Sequence, residues 1–466
     1  MNATAIFDHN LVRRHDRPGP RYTSYPTAPQ FSESFGEREL RSFAEQSNLR
    51  PVPRPLSIYV HVPYCFSPCF YCGCNRVITR DLGKGETYLD RLLLEVERTS
   101  SLFNHDREVM QVHLGGGTPN FLRPAQLARL VDGLGQHYLF GDSRQRDFSI
   151  ELDPRHIEDG DIQELAGIGF NRASLGVQDF DADVQKAVNR VQGVEETLAV
   201  VDACRNSGFR SVNVDLIYGL PRQTIDGFLQ TLVTVIEAWP DRLAIYGYAH
   251  LPRMFKAQRQ INEIELPDAV ERLLLLQLAV EMLTDAGYQY IGMDHFALPD
   301  DDLATAQLAG SLHRNFMGYT THADCDLIGL GVSAISHIGD SFSQNPRDLA
   351  GWECAVDAGR IPVWRGLALS FDDILRADVI QQLMCHGEID TKDIEHRYDI
   401  EFPRYFSATL PMLELLADDG LIELRGDRIT ASSRGRYLLR TIAMCFDKYV
   451  DHLQIADDTP RYSRTI

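Results

Sequence analysis

The chain has 466 residues, 44% hydrophobic and 24% charged, which is enough to bury a large core and, at the usual domain size, to form two or three domains. Its formal net charge of −20 speaks against broad binding to nucleic acid or anionic membrane, so an anionic small substrate would have to meet locally placed cations. No apolar run approaches the roughly 18 residues of a membrane span, and Met1-Asn-Ala-Thr-Ala-Ile-Phe-Asp-His9 lacks the basic and apolar regions of a signal peptide, so a cytoplasmic protein is expected.

Residues 1–54 are read as an N-terminal strap. Within them Arg17-Pro-Gly-Pro-Arg-Tyr-Thr-Ser-Tyr-Pro26 has the prolines and glycine of a stiff, extended segment, able to cover a pocket or to act as a surface linker. Strands are predicted at 57–62, 110–114, 148–152, 172–177, 211–217 and 242–247. Between them, Tyr88, Leu89, Leu92, Leu93 and Val96 share one helical face, and similar spacing recurs near 124–136, 180–190, 194–207 and 223–237. Six βα units in series over 55–255 predict an α/β fold, a parallel sheet curled as a partial (β/α)6 barrel with helices outside. Chemistry in such a barrel gathers at the C-terminal ends of the strands.

Residues 256–365 are expected to extend the barrel and help form a substrate pocket, with a helix at 267–285 and a strand at 288–293. Residues 366–466 predict a mainly helical domain resembling a winged helix: a helix at 403–417, strands at 420–424 and 428–430 around a turn at 425–427, and a helix at 434–446. The acidic chain and the lack of a basic recognition stripe favour scaffolding over DNA binding for this module.

The densest chemical signal is Cys65-Phe-Ser-Pro-Cys69-Phe-Tyr-Cys72-Gly-Cys74, which follows the first predicted strand. Three thiolates at C-x3-C-x2-C spacing can cap three irons of a [4Fe–4S] cluster and leave the fourth open to a ligand. Zinc usually takes two separated pairs of ligands, and no second pair follows. Cys204, Cys325, Cys354, Cys385 and Cys445 are scattered, and an odd total of nine fits a reducing compartment. At the end of strand two, Gly115-Gly-Gly-Thr-Pro119 lets backbone approach a ligand or simply makes a tight turn. Glu151 at the end of strand three could accept from two ribose hydroxyls, or cap a helix or sit in an ion pair. Gln178 and Ala249 are read as ending strands four and six, Asp215 as lying in strand five, and Arg190 as sitting on the helix after strand four.

The cysteine spacing resembles that of radical SAM enzymes. Across nearly the whole chain the sequence further resembles the oxygen-independent coproporphyrinogen III oxidases of bacterial haem biosynthesis. Carrying this are Pro20-Arg-Tyr-Thr-Ser-Tyr-Pro-Thr27, Tyr59-Val-His-Val-Pro63, the Cys65–Cys74 run, Gly115–Pro119, Gly176-Val-Gln-Asp-Phe180, Asp215-Leu-Ile-Tyr-Gly-Leu-Pro221, Gly292-Met-Asp-His-Phe296, His313-Arg-Asn-Phe316 and Gly331-Val-Ser-Ala-Ile-Ser336.

The resemblance implies that Cys65, Cys69 and Cys72 hold a [4Fe–4S] cluster and that Cys74 is not a ligand. It implies that Tyr59, Gly116, Glu151 and Ile335 contact one S-adenosylmethionine, and that Tyr71, Gly117, Thr118, Gln178, Arg190, Asp215 and Ala249 surround a second. Tyr71 stands where Phe is expected, and Met317 where a polar Gln is. The implied reaction is anaerobic decarboxylation of two propionates of coproporphyrinogen III to vinyl groups. A 5′-deoxyadenosyl radical would drive it, because no side-chain base can take an unactivated β-hydrogen; no side chain is assigned as a catalytic acid or base. A monomer served by an electron-donor protein such as flavodoxin with its reductase is expected. Arg21, Arg314 and, less well placed, Lys256 are candidate cations for substrate propionates. Two rivals are a radical SAM haem chaperone and a radical SAM methyltransferase. Chaperone relatives carry Phe where this chain has Cys74 and lack the Tyr-Thr-Ser-Tyr-Pro strap.

Overall fold

A period of two, with a polar phase, shapes the centre of the molecule. The computed structural model describes residues 17–450 together with Leu11, Arg14 and His15. Strands β1 (Leu56–Val62), β2 (Glu108–Gly116), β3 (Asp147–Leu152), β4 (Arg172–Gln178), β5 (Ser211–Tyr218) and β6 (Arg242–Gly247) pair in parallel in chain order. One side of each strand is apolar. Phe148 and Ile150 of β3, Leu175 of β4 and Val212 of β5 are all fully buried, each burial contributing about 1.5–3 kcal/mol. The alternating residues Ser149, Glu151, Ser174, Asn213 and Asp215 face a cavity in the barrel lumen. The strands therefore stack their apolar side against the outer helices and leave a polar interior.

The outer layer follows from helical spacing. Helix α1 (Gly83–Ser100) buries Tyr88, Leu89, Leu92 and Val96. It is followed by α2 (Pro124–His137), α3 (Asp161–Ile168), α4 (Val194–Asn206), α5 (Ile225–Ala238) and α6 (Ala269–Asp285). The helix expected near 180–190 covers only Ala182–Ala187. It stops because Asn189 takes a left-handed conformation, φ 55°, so Arg190 projects from the turn beyond it.

The sheet does not end at six strands. Beyond β6 it adds the antiparallel β7 (Gln289–Gly292) and β8 (His295–Ala297), after which comes a separate hairpin, β9 (His313–Asn315) with β10 (Gly318–Thr320). On the other edge β11 (Asp326–Leu330) pairs in parallel with β1, and β12 (Ile335–Ile338), β13 (Ser341–Gln344) and β14 (Arg365–Ala368) continue antiparallel. Two buried carboxylates lock that edge. Asp326 accepts from Arg107 at 2.6 Å, with both side chains almost fully buried. Glu95 of α1 accepts from the Gly331 amide, Asn345 and Trp352 at 2.7–2.9 Å, and burial pushes its carboxyl up to about 7.

The C-terminal region begins with α7 (Phe371–His386) and forms a three-stranded antiparallel sheet from Glu388–Asp390, Arg428–Ala431 and Ile422–Arg425. The single helix expected over 403–417 is two pieces, Phe402–Tyr405 and Leu410–Asp418. Pro411 lacks the N–H and adds the ring bulk that forbid a helix interior, and it sits in the first turn of the second piece. The helix expected over 434–446 is a 3-10 turn, Gly435–Leu438, leading into Leu439–Met444. That last helix fastens the strap. Arg440 donates to the carbonyls of Gly19 and Pro20, Thr441 to that of His15, and Tyr22 donates to Asp447 at 3.0 Å.

Candidate functional site

A cavity of about 270 Å³ opens at the C-terminal ends of the strands. Cys65, Cys69, Cys72 and Cys74 line it from the loop after β1, facing Tyr71, Gly116, Gly117, Thr118, Glu151, Gln178, Arg190 and Asp215. The strand order delivers these residues to one mouth: the glycine turn ends β2, Glu151 comes one residue before the end of β3, Gln178 is the last residue of β4, and Asp215 points inward from β5. Gly117 has to be glycine, since a Cβ there would lie 2.6 Å from the Pro63 carbonyl oxygen, a backbone atom that cannot step aside. Its amide meanwhile donates to Val62 at 2.8 Å, tying the glycine turn to β1.

Donors converge on the cysteine sulfurs. The Thr118 hydroxyl donates to Cys65 Sγ at 3.3 Å, the Cys74 amide to Cys72 Sγ at 3.3 Å, and Arg190 to Cys69 Sγ at 3.6 Å. Arg76 clamps the loop itself through the carbonyls of Cys72 and Cys69 at 2.9 and 3.2 Å. The Cys74 thiol beside Cys72 brings the Cys72 thiol down to about 6, while burial pushes Cys65 up to about 11. Among the described residues no three His, Cys, Asp or Glu side chains converge as they would on one metal ion. A [4Fe–4S] cluster takes one thiolate per iron, so its three ligands surround a volume and not a point. Thiols on a cavity wall, met by hydroxyl, amide and guanidinium donors that suit anionic sulfur, fit that group.

The carboxylates behind the cysteines differ in character. Glu151 keeps 43% of its side chain open to the cavity. It accepts from the Gly116 amide at 3.1 Å and lies 3.4 Å from His113. Burial works to raise its carboxyl, but His113 and the amide outweigh it and hold the group below the ordinary value. Asp215 accepts from Ser174 and Asn213, both at 2.9 Å, and burial, then the nearby Glu151 charge, pushes it up to about 6. One pocket thus holds an ionised acceptor and a carboxyl close to protonation.

Other residues singled out from the sequence stand one step back. Tyr59 stacks on His113 with ring centroids 5.9 Å apart and contacts His61 Nδ1 at 3.0 Å. Ile335 reaches Tyr59 through Gly329: Gly329 pairs with Tyr59 across the sheet, and a Cβ on it would meet the Ile335 carbonyl oxygen at 2.5 Å. Ala249 lies two residues beyond β6, not at its end, since the parallel pairing with β5 stops at Gly247, with a last bond from the Tyr248 amide to the Tyr218 carbonyl. Met317 lines the lumen cavity below the cysteines. Arg21 crosses the barrel mouth, 3.4 Å from Asp294 and from the Gly247 carbonyl, with its guanidinium over Tyr246. Lys256 is exposed on the surface.

Three residues of the site, Asp153, Arg155 and Gln258, escaped sequence reading. Asp153 is 7% exposed and accepts from Arg190 at 3.3 Å and Arg155 at 2.6 Å, aligning both guanidiniums behind Cys69. Its signal was available, since Asp153-Pro-Arg155 directly follows β3. Gln258 had none. Its amide donates to the carbonyls of Tyr71 at 2.8 Å and Ala249 at 3.1 Å and accepts from the Leu251 amide, joining the cysteine loop to the exit of β6.

A cysteine loop on a parallel barrel with its thiols at the strand ends defines the radical SAM architecture, and the family model described as "Radical SAM superfamily" matches residues 59–235. A second, "HemN C-terminal domain", matches 369–438. The chain is 50% identical to the oxygen-independent coproporphyrinogen III oxidase of Pseudomonas aeruginosa, with the whole of both chains covered. It is 47% identical to that of Escherichia coli over 95% of this chain and 96% of the relative. The solved coproporphyrinogen III oxidase of Escherichia coli, described as a radical SAM enzyme, superposes with a TM-score of 0.90 over 95% of this chain and 99% of its own. The chain belongs to the oxygen-independent coproporphyrinogen III oxidase family.

Proposed function

We propose that the chain decarboxylates two propionate side chains of coproporphyrinogen III to vinyl groups without oxygen, yielding protoporphyrinogen IX in haem biosynthesis. The observation that carries the reading is the convergence of Cys65, Cys69 and Cys72 on the cavity formed by the strand ends, in a chain alike to such oxidases from end to end. Bound there, a [4Fe–4S] cluster and S-adenosylmethionine supply a 5′-deoxyadenosyl radical able to remove an unactivated hydrogen.

The chain's own residues bind, orient and exclude water. Cys65, Cys69 and Cys72 serve as the three thiolate ligands, with Thr118 and Arg190 donating to their sulfurs. Glu151, ionised and open to the cavity, accepts the ribose hydroxyls of one S-adenosylmethionine, with Tyr59, Gly116 and Ile335 shaping the same subsite. Tyr71, Gly117, Thr118, Gln178, Arg190, Asp215 and Ala249 surround a second. The strap, held by Arg440 and Tyr22, closes over the mouth through Arg21 and keeps water from the reacting groups. Among the described residues no helix is long and apolar enough to cross a membrane. A cytoplasmic monomer reduced by a flavodoxin-type donor completes the reading. The reconstituted protein should release CO2 from coproporphyrinogen III under anaerobic conditions and consume two S-adenosylmethionines per protoporphyrinogen IX, and a 1:1 ratio would contradict one radical per propionate; equilibrium binding of one S-adenosylmethionine per protein, not two, would contradict the second subsite.

A further inference from the structure

We propose that a second cavity, beside the barrel, receives a carboxylate of the tetrapyrrole and that Arg314 binds it; this rests on the function proposed above. The cavity, about 440 Å³, lies between strap residues Tyr22–Tyr25, the β9–β10 hairpin and α7. Arg314 in β9 lines it and is 6% exposed. Its guanidinium rests on the ring of Tyr319, 4.8 Å from the centroid, yet Nε and Nη1 have no hydrogen-bond partner among the described residues. A buried cation whose N–H groups lack acceptors carries an unrepaid desolvation cost. An anionic ligand removes that cost, and a planar carboxylate matches a guanidinium best.

The acids of the cavity do not serve instead. Asp378 is engaged by Arg397 and by the Tyr398 hydroxyl at 2.9 Å, and Asp340 lies 3.6 Å from Arg50. Asp324 is a further acid on the lining, and neither it nor the other two reaches Nε or Nη1. The contrast with Arg21 decides between the two arginines. Arg21 is over a third exposed and already spends its N–H groups on Asp294 and the Gly247 carbonyl.

The position suits a substrate that must also reach the cysteines. Tyr319, which carries the guanidinium, lines the lumen cavity together with Met317. That cavity shares Glu151, Ser174, Asp215 and Tyr246 with the cysteine cavity. Arg314 and Tyr319 pair directly across the hairpin and therefore share one of its faces, which places the cation where the hairpin cavity and the lumen cavity approach each other. A macrocycle with four propionates can hold one carboxylate at Arg314 while another is turned toward the strand ends.

The test uses the reconstituted holoenzyme with Arg314→Met, which keeps bulk and removes the charge, and Arg314→Lys. Coproporphyrin III, the stable oxidised analogue with the same four propionates, serves as the binding probe, read by fluorescence, and S-adenosylmethionine affinity is measured alongside. R314M should weaken coproporphyrin III at least tenfold and raise the KM for coproporphyrinogen III, with S-adenosylmethionine affinity within twofold of the unaltered protein. R314K should fall between. Porphyrin affinity within twofold in R314M, or equal losses for porphyrin and S-adenosylmethionine, would overturn the assignment. Should R314M not fold, R314K decides: a KM raised threefold or more supports the anchor, and an unchanged KM refutes it. Failure of the unaltered enzyme to turn over coproporphyrinogen III would instead sink the parent reading.

Discussion

Replacing Asp153 by Asn tests the electrostatic core behind the cysteines. Asp153 accepts from Arg155 Nε and Nη2 at 2.9 and 2.6 Å, and from Arg190 at 3.3 Å through each oxygen, so one carboxylate balances two guanidiniums in a site where Arg190 is 7% exposed. Burial opposes its charge, but Arg190 and then Arg155 hold the carboxyl down at about 2 against an ordinary 3.8. At about 1.4 kcal/mol per pH unit, that depression is worth about 2 kcal/mol of stability at neutral pH. Because the folded value is the lower one, this contribution is complete above 3.8 and disappears as pH falls toward 2. Asn forfeits it and leaves two buried like charges uncompensated, so the total loss should reach about 3–5 kcal/mol. Urea unfolding of both proteins at pH 7 and pH 3 measures it, and the gap between them should narrow at the lower pH. A loss below about 1 kcal/mol at pH 7, or a gap indifferent to pH, would refute the reasoning.

Ala at Cys65, Cys69 or Cys72 should abolish iron–sulfur absorbance and activity, whereas Cys74→Ala should still reconstitute a cluster; equal loss in all four would show that Cys74 is a ligand. Glu151→Ala should weaken S-adenosylmethionine binding by about 1.5–3 kcal/mol, the range for a hydrogen bond to a charged group, with cluster absorbance retained; unchanged affinity by equilibrium dialysis would remove Glu151 from the ribose. Gly117→Ala forces a Cβ against the Pro63 carbonyl and should lower Tm and cofactor affinity together, so a variant equal to the parent in both would show that the turn can shift.

The barrel was legible because its strands carry two signals at once. In Asp147-Phe-Ser-Ile-Glu-Leu152 the apolar phase names the side under the helices, and the polar phase already holds Glu151 for the lumen. Strand limits came within about two residues for that reason, as at β1 and β6. The flanking strands β11 to β14 were not foreseen, since four- and five-residue strands leave too little alternation to read. Pro411 carried a plain warning against one long helix, and apolar spacing masked it. Among site residues, local motifs supplied the cysteines and the glycine turn. Gln258, which reaches Tyr71 from 187 positions away in the chain, leaves no local pattern, and the lack of acceptors for Arg314 Nε and Nη1 exists only once hairpin, strap and α7 enclose it.

The central claim is that this barrel decarboxylates a tetrapyrrole. Its most direct test is an anaerobic assay of the reconstituted protein with coproporphyrinogen III labelled in the propionate carboxyls, S-adenosylmethionine, a one-electron reductant and a one-electron acceptor for the electron released with each CO2. The account predicts labelled CO2 and protoporphyrinogen IX, with methionine and 5′-deoxyadenosine as co-products. Binding of haem with no labelled CO2, as for a chaperone, or formation of S-adenosylhomocysteine, as for a methyltransferase, would contradict it.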